Sequence, residues 1–600
     1  MTREEVRELL EEEFGQIGYR AVQVHHPVRN GSSLASEVLA HPVPVEVLTS
    51  GGKISRSRSA LTVAWRSSDK RSSLIYGSAT RENLGQASSM SVLPWLTLAT
   101  VIWLQAIADT NTDFSAYSSE LKTRLGISQV KLNYLAVASD AGKFFGWCAG
   151  AATFRLPLWS VLAVGATLGA AGYGVQFLYF CRKISALSYA QFFFLNMLNG
   201  NSICWLNTTG YTAVRRQFLL ADHGAVFALT TSYTGLTANI YLSMAETVIG
   251  KSSVVRGDKS VYLLLNAVTP VAVALFTMPT LAAMRPRPAD MKAGLVTMFG
   301  IAGVTGAYTV IQTTLPAMRS SSGTIPATVL MVMVTAVVVV PVVKAGKWVM
   351  RGGKEEAEKG AAKVVDVEGG GKVVAQEAVT GTEGNVNSVW VLVKKVTFWV
   401  YFLVYLCGAT LGVVYGNHLG QISKSRHVSD SILLSVSSSF GFFGRLATAP
   451  LSVFSRSKYK ISNTGTIAVL MVAMSVSFFL LLCPGDAFLF VSTAVIGLCS
   501  GAISSIAVSV TSELFGQENF PVNHNIVLMN IPIGSFLFGT IAAVIYDKAG
   551  GKEGEGRHGL CIGMACYSLV FIIWGCICSL GAILSFVLFS RTGRSFVSRR

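Results

Sequence analysis

Fourteen apolar stretches of about twenty residues each decide what this chain can fold into. They lie near 92–112, 130–153, 157–181, 187–214, 224–249, 261–284, 293–316, 325–346, 396–416, 431–454, 464–484, 486–511, 524–546 and 565–590. A hydrocarbon layer about 30 Å thick takes roughly 20 helical residues to cross, whereas a barrel strand needs only about ten. The stretches are too long for barrel strands and lack strict alternation, and in lipid only helices or closed barrels satisfy every backbone hydrogen bond. They predict an all-α polytopic membrane protein. Composition agrees, at 51% hydrophobic, 14% charged and a mean hydropathy of +0.51, against roughly 25% charged residues in an ordinary soluble domain.

Between these stretches the chain is polar. Residues 1–90 read as a largely disordered cytosolic tail, with Val6, Leu9, Leu10 and Phe14 spaced for one face of a short helix and residues 51–90 rich in Ser and Arg. The acid-rich opening MTREEVRELLEEEFG lacks the basic start of a signal peptide. A second break, RGGKEEAEKGAAKVVDVEGGGKVVAQEAVTGTEG at 351–384, marks a disordered loop over 349–392. An even number of spans puts both ends on one side, and excess Lys and Arg marks the cytosolic side. Arg215, Arg216, Arg285, Arg287, Lys344, Lys347, Arg456, Lys458, Lys460 and the tail RTGRSFVSRR all fall on the side of the termini, against Lys251, Arg256, Lys259, Lys424 and Arg426 opposite. Topology therefore explains the net charge of +17, and with no aromatic and basic RNA-binding pattern no nucleic-acid partner is expected.

Several activities lack their residues. No GxxxxGK[ST] is present for a nucleotide-driven pump, and no HExxH or GxSxG for hydrolysis. No histidine, serine or cysteine cluster makes a catalytic set, so neither an enzyme nor a cofactor is expected. Eight of the ten cysteines fall in or beside apolar stretches as small hydrophobes. Cys561 and Cys566 lie in the last non-cytosolic loop, where an oxidising compartment pairs cysteines or leaves them as thiols; with no second CxxC or His pair nearby, a metal site is not expected. The breaks divide the chain into a six-helix half at 91–284, two inserted helices at 285–348, the loop, a second six-helix half at 393–591 and a cytosolic tail at 592–600. Two six-helix halves around a central site are the plan of major facilitator transporters.

Charges set into lipid-length helices normally face a protein interior or a watery cavity, since one at the bilayer centre costs at least about 2.5 to 3.5 kcal/mol. In YLAVASDAGKFFGWCAGAA (134–152), Asp140 and Lys143 are spaced to share a face, as an ion pair locking the bundle or as groups meeting substrate or proton. Ala138, Gly142, Gly146 and Gly150 make one side of that helix small for close packing. Asp109 and Asp113, with Asn111 between, read as the end of the first span emerging into water or as a proton or cation site. In GNSICWLNTTGYTAVRRQF, Asn201, Asn207 and Thr208 are deep hydrogen-bonding groups, Asn207 being the cavity candidate, while Arg215 and Arg216 read as anchors. YGNHLGQI spaces Asn417, His418 and Gln421 along one side, with a histidine suited to proton exchange near neutral pH or to a structural role. Arg445 sits in an apolar stretch and needs a partner, for which Glu513 is a candidate as a gating pair.

NTDFSAYSSELK, LAVASDAGKFFGWCAG, LPLW with GYGVQFL, and GNSICWLNTT closely resemble the amino-terminal domain of plant nodulin-like proteins of the major facilitator superfamily. GNHLGQI, FGRL, SELFG, the PIGS and IYD of 532–547 and CIGMAC resemble the carboxy-terminal domain of the same group, sometimes labelled nuclear fusion defective. The resemblance spans about 92–590 and implies two rocking halves. It places Gly444 and Arg445 on a glycine–arginine motif shared with oxalate/formate and monocarboxylate carriers, where the arginine belongs to the gating machinery. It also marks a departure, because Thr231 stands where the family pattern carries a lysine. These features together predict a secondary-active transporter of a small solute, more readily an anion, moved with a coupling proton. Lys143 and Arg445 would supply positive charge, and Asp140 or His418 would carry the proton. The competing expectation is a membrane sensor or scaffold presenting the loop and tails.

Overall fold

The computed structural model describes residues 20–23, 37–40, 92–218, 223–249, 259–284, 292–314, 324–350, 388–458, 461–550 and 561–597. The expected helix face at 6–14, the Ser- and Arg-rich stretch at 51–90 and the linker at 351–384 lie outside the described residues, as do Lys251, Arg256, Arg285 and Arg287. Residues 1–88 and 89–600 are separate units. In the first, strands β1 (Arg20–Gln23) and β2 (Glu37–Ala40) pair antiparallel, Arg20 opposite Ala40, inside a tail whose sequence predicts disorder.

In the second unit all fourteen stretches fold as helix. The first half holds α1 (Leu93–Ala108), α2 (Phe114–Leu125), α3 (Gln129–Gly142), α4 (Gly146–Arg155), α5 (Leu158–Phe180), α6 (Tyr189–Gln217), α7 (His223–Ser232), α8 (Thr237–Ile249) and α9 (Ser260–Ala283). The insertion holds α10 (Lys292–Thr314), α11 (Thr324–Thr335) and α12 (Val339–Met350), and the short α13 (Ser388–Val393) follows the loop. The second half holds α14 (Val396–Tyr405), α15 (Leu411–Ser425), α16 (Asp430–Lys458), α17 (Asn463–Leu480), α18 (Asp486–Phe515), α19 (Phe520–Leu528), α20 (Asn530–Gly534), α21 (Thr540–Gly550) and α22 (Ser568–Val597). The last of these carries helix into the region read as a tail. Among the described residues, ten helices are long and apolar enough to cross a membrane, and the chain is an integral, multi-pass membrane protein. The other four stretches lie in the first half, where 3₁₀ turns at Thr110–Asp113, Lys143–Phe145 and Tyr233–Leu236 interrupt the helices or asparagines dilute α6.

The structure corrects the first span. Helix does not end near 112 but resumes at Phe114 and runs to Leu125, stopped by Gly126 at φ 59°, a conformation glycine adopts without a Cβ penalty. Asp109 and Asp113 thus lie midway along the rod and not at a wet end. They do not share a face either, because the intervening 3₁₀ turn winds tighter than an α-helix. Asp113 is 1% exposed and accepts from Asn266 Nδ2 of α9 on both oxygens, at 3.0 Å each.

The second half builds its own core, whereas that of the first half takes in Phe442, Val508 and Phe520 of the second and residues of the inserted helices. One cluster draws only on residues 392–588, around Trp574, Tyr401 and Tyr415; the first half packs around Trp95, Tyr241 and Tyr262. The halves meet along two seams, α4 against α19 and α7 with the turn after it against α16. The inserted helices pack on α1, α7, α8 and α16, so they lie along the second seam. There a Cβ on Gly306 would meet Phe442 at 2.5 Å. We call the end bearing Leu93 and Val597 the near end and the end bearing Leu125 and Ser568 the far end.

Candidate functional site

Asp140 closes the last turn of α3 and Lys143 opens the 3₁₀ turn after it, so the i, i+3 spacing brings Nζ to 2.7 Å from Oδ1. Asp140 is fully buried and Lys143 is 8% exposed. Two groups of the other half complete the carboxylate. Ser535 Oγ donates to its Oδ2 at 2.5 Å and Asn417 Nδ2 at 3.4 Å. Ser535 opens a π-turn, Ser535–Gly539, and the helix before it, α20, packs on a second π-turn, Leu406–Thr410, through the 2.6 Å bond from Thr410 Oγ1 to Asn530 Oδ1. Such turns interrupt helices most often at functional positions.

Asp109, at the break between α1 and α2, accepts from Asn207 Nδ2 of α6 at 2.9 Å. Lys143 and Arg445 both lie within electrostatic range of Asp109, and Arg445 also within that of Tyr211 and Tyr405. The Arg445 guanidinium donates to Gly441 O of its own helix at 3.3 Å. Asp109, Asn207 and Arg445, near the middle of their rods, and Tyr211, one turn beyond Asn207, all keep partial exposure. Each half therefore gives one cation to this centre, Lys143 from the first and Arg445 from the second. The expected pairing of Arg445 with Glu513 is corrected. Glu513 lies in the last turn of α18, where Asn463 Nδ2 donates to it at 2.8 Å. Thr448 and Ser505, in contact at 3.2 Å, set α16 beside α18, so the two charges are about three turns apart along the bundle.

Asn417, His418 and Gln421 belong to the far end. They line a cavity of about 580 Å³ with Asn133, Lys122 and Lys424. Gln421 Nε2 crosses the seam to Asn133 Oδ1 at 3.0 Å while its Oε1 accepts from Tyr567 at 2.7 Å. His418 is 3% exposed, 3.2 Å from Gln421 Oε1 and edge-on to Trp574, so an aromatic wall holds it. Asn239 Nδ2 donates to Ser439 at 3.2 Å across the other seam. At the near end Asn525 Nδ2 donates to Thr208 at 2.8 Å, Thr231 and Ser505 hydroxyls meet at 3.0 Å, and Arg215 stacks 4.9 Å over Phe520. Arg215 thus joins the halves in addition to any anchoring. Thr231, the departure noted in the sequence, forms part of this closure. Beyond the site, Cys561 and Cys566 form a disulfide, and no cluster of three metal-ligating residues occurs among the described residues.

Sequence reasoning missed Asp109 as a central group, together with Ser535, Tyr211, Tyr405 and Asn133. The signal for Asp109 was SAYSSELKTRLG, a run without Pro or Gly until Gly126, which prolongs the helix past the drop in hydropathy.

Two family models match the chain, "Nodulin-like" over residues 94–345 and "NFD4, C-terminal domain" over 383–598. Protein NUCLEAR FUSION DEFECTIVE 4 of Arabidopsis thaliana is 38% identical over 525 residues, 83% of this chain and 88% of that protein. Among solved structures, a point mutant of the nucleoside transporter NupG aligns at TM-score 0.48 and 13% identity, over 83% of this chain and 100% of that one. A point mutant of the Escherichia coli fucose:proton symporter FucP aligns at 0.45 and 11%, over 82% and 99%. The domain matches and the identity along most of both chains settle the kinship: this chain belongs to the nodulin-like, nuclear-fusion-defective-4 family of membrane proteins.

Proposed function

We propose that this protein is a secondary-active transporter that carries a small anion between its halves by alternating access. One observation carries the reading: each half sets one cation deep in the bundle, Lys143 paired with Asp140 and Arg445 bonded to its own helix, both within electrostatic range of Asp109, between hydrogen-bonded closures at the near and far ends. An anion entering there would compete with Asp109 for Arg445 and draw the halves together. Movement follows only if the solute binds one arrangement of the halves better than the other. Protonation of Asp140 would loosen its hold on Lys143 and on Ser535 together, which couples a proton to opening; His418, walled by Tyr567 and Trp574, is the second proton candidate.

Uptake into proteoliposomes across nitrate, monocarboxylates and dicarboxylates, with and without a pH gradient, tests this. Arg445→Ala should cut uptake of the accepted anion about 10- to 100-fold, the loss of a hydrogen bond to a charged group. If folded protein moves no anion under any gradient, the proposal fails. Deleting residues 351–384 separates the scaffold alternative, since a transporter keeps its uptake without that loop and a scaffold loses its partner.

A further inference from the structure

At the far end of the second half lies a turn whose shape is fixed covalently. The Cys561–Cys566 disulfide ties it together across a sequence separation of 5, and both cysteines are buried. The turn is bonded to two helices of its own half. Cys561 N–H donates to Tyr546 Oη of α21 at 3.2 Å, and Gly563 N–H donates to Ser425 O, the last residue of α15, at 2.9 Å. Gly563 holds φ at 99°, a conformation that residues with a Cβ rarely adopt. Tyr567 follows directly, 2% exposed, with its ring set against Tyr546 and Phe571.

The Tyr567 hydroxyl reaches the seam through one amide. It donates to Gln421 Oε1 at 2.7 Å, and His418 Nδ1 lies 3.2 Å from the same oxygen. A side-chain amide has an acceptor end and a donor end, so a donor on Oε1 leaves the NH₂ group to face the other way. There Gln421 Nε2 donates to Asn133 Oδ1 of the first half at 3.0 Å. Asn133 Nδ2 is buried with no hydrogen-bond partner among the described residues, so this one bond holds the Asn133 side chain. The bond is neutral, of a strength that can break and re-form in a working cycle. Without the tyrosine hydroxyl, the amide loses the donor that selects its orientation, and the crossing bond weakens with it.

We propose that the disulfide-closed turn braces a far-end gate, and that Tyr567 is the positioning residue through which the brace sets how readily the halves part there. The inference rests on the reading that the halves open at one end and then the other. The turn, Tyr567 and Gln421 travel with the second half, and Asn133 is the catch on the first.

Hydrogen–deuterium exchange of the full chain in nanodiscs, read by mass spectrometry, tests this with no solute present, so its result does not depend on whether an anion is carried. Tyr567→Phe keeps the ring and the disulfide and removes only the hydroxyl. It should raise exchange about 2- to 10-fold, the weight of one neutral hydrogen bond in an opening equilibrium, in residues 129–136 of α3 as well as 418–425 of α15. Cys561→Ala with Cys566→Ala should raise it in the same two segments. The near-end segment around Asn525 should keep its wild-type rate. Tyr308→Phe, which removes one hydroxyl bond within the insertion, should change none of these. A merely structural tyrosine would loosen its own half alone. Wild-type exchange at 129–136 in either folded variant overturns the proposal, as does a rise confined to 561–571, and Tyr567→Phe alone decides if the double variant fails to fold.

Discussion

Gly200→Ala is expected to leave little correctly folded protein. The added Cβ would lie 1.6 Å from Ser139 O, a backbone atom, while across the same contact a Cβ on Gly142 would lie 2.0 Å from Met197 O. α3 and α6 therefore cross with their main chains touching, as small residues permit in membranes. No rotamer change relieves a backbone clash, so α3 must move away. Ordinary overpacking costs about 1 to 3 kcal/mol and occasionally more, and here the displaced turn also carries Asp140. Gly174→Ala, with nothing within 4 Å of the new atom, is the matched control and should be neutral. Gel filtration in detergent and the thermal midpoint read the difference; a wild-type midpoint for Gly200→Ala would refute this packing.

The second large effect concerns the Asp140–Lys143 pair. Asp140→Asn leaves an ammonium that is 8% exposed without its counter-ion, and Lys143→Met leaves a fully buried carboxylate with only neutral partners. Removing one member of a buried pair costs about 3–5 kcal/mol, whereas replacing both is often nearly neutral. Each single variant should thus be strongly destabilised, and Asp140→Asn with Lys143→Met together should recover most of the loss in a thermal or denaturant melt. Uptake separates two roles. A pair that merely locks the bundle regains transport with stability, while a pair that meets solute and proton regains stability alone. The proposed function predicts the second outcome, and full recovery of uptake in the double variant would contradict it.

How much of this was legible beforehand depended on whether the signal was local. Apolar runs of membrane length are local, and they located the helices to within a few residues except where polarity rose inside a span. The first span was cut short at 112 because Asp109, Asn111 and Asp113 lower the hydropathy, although the helix-forming run to Leu125 and the stop at Gly126 were present in the letters. The stripe of Gly142, Gly146 and Gly150 was readable as a close-packing face, and the three glycines indeed back onto Met197, Cys204 with Asn525, and Pro521. Spacing within one helix paired Asp140 with Lys143. Pairing across helices was not readable, because register between distant segments leaves no local trace. Glu513 is one possible partner for Arg445 in the sequence, but the acid within its electrostatic range is Asp109, more than 300 positions away in the chain. Ser535 and Asn133 were invisible for the same reason, being ordinary polar residues until another half of the molecule lies against them.

The inserted helices α10–α12 have a mechanical corollary. They splint one flank of the molecule, along α1, α7, α8 and α16, whereas the α4–α19 flank has no such cover from them. A book bound along one edge opens only at the other. Any rocking of the two halves would accordingly be more restrained along the splinted flank than along the flank of α4 and α19.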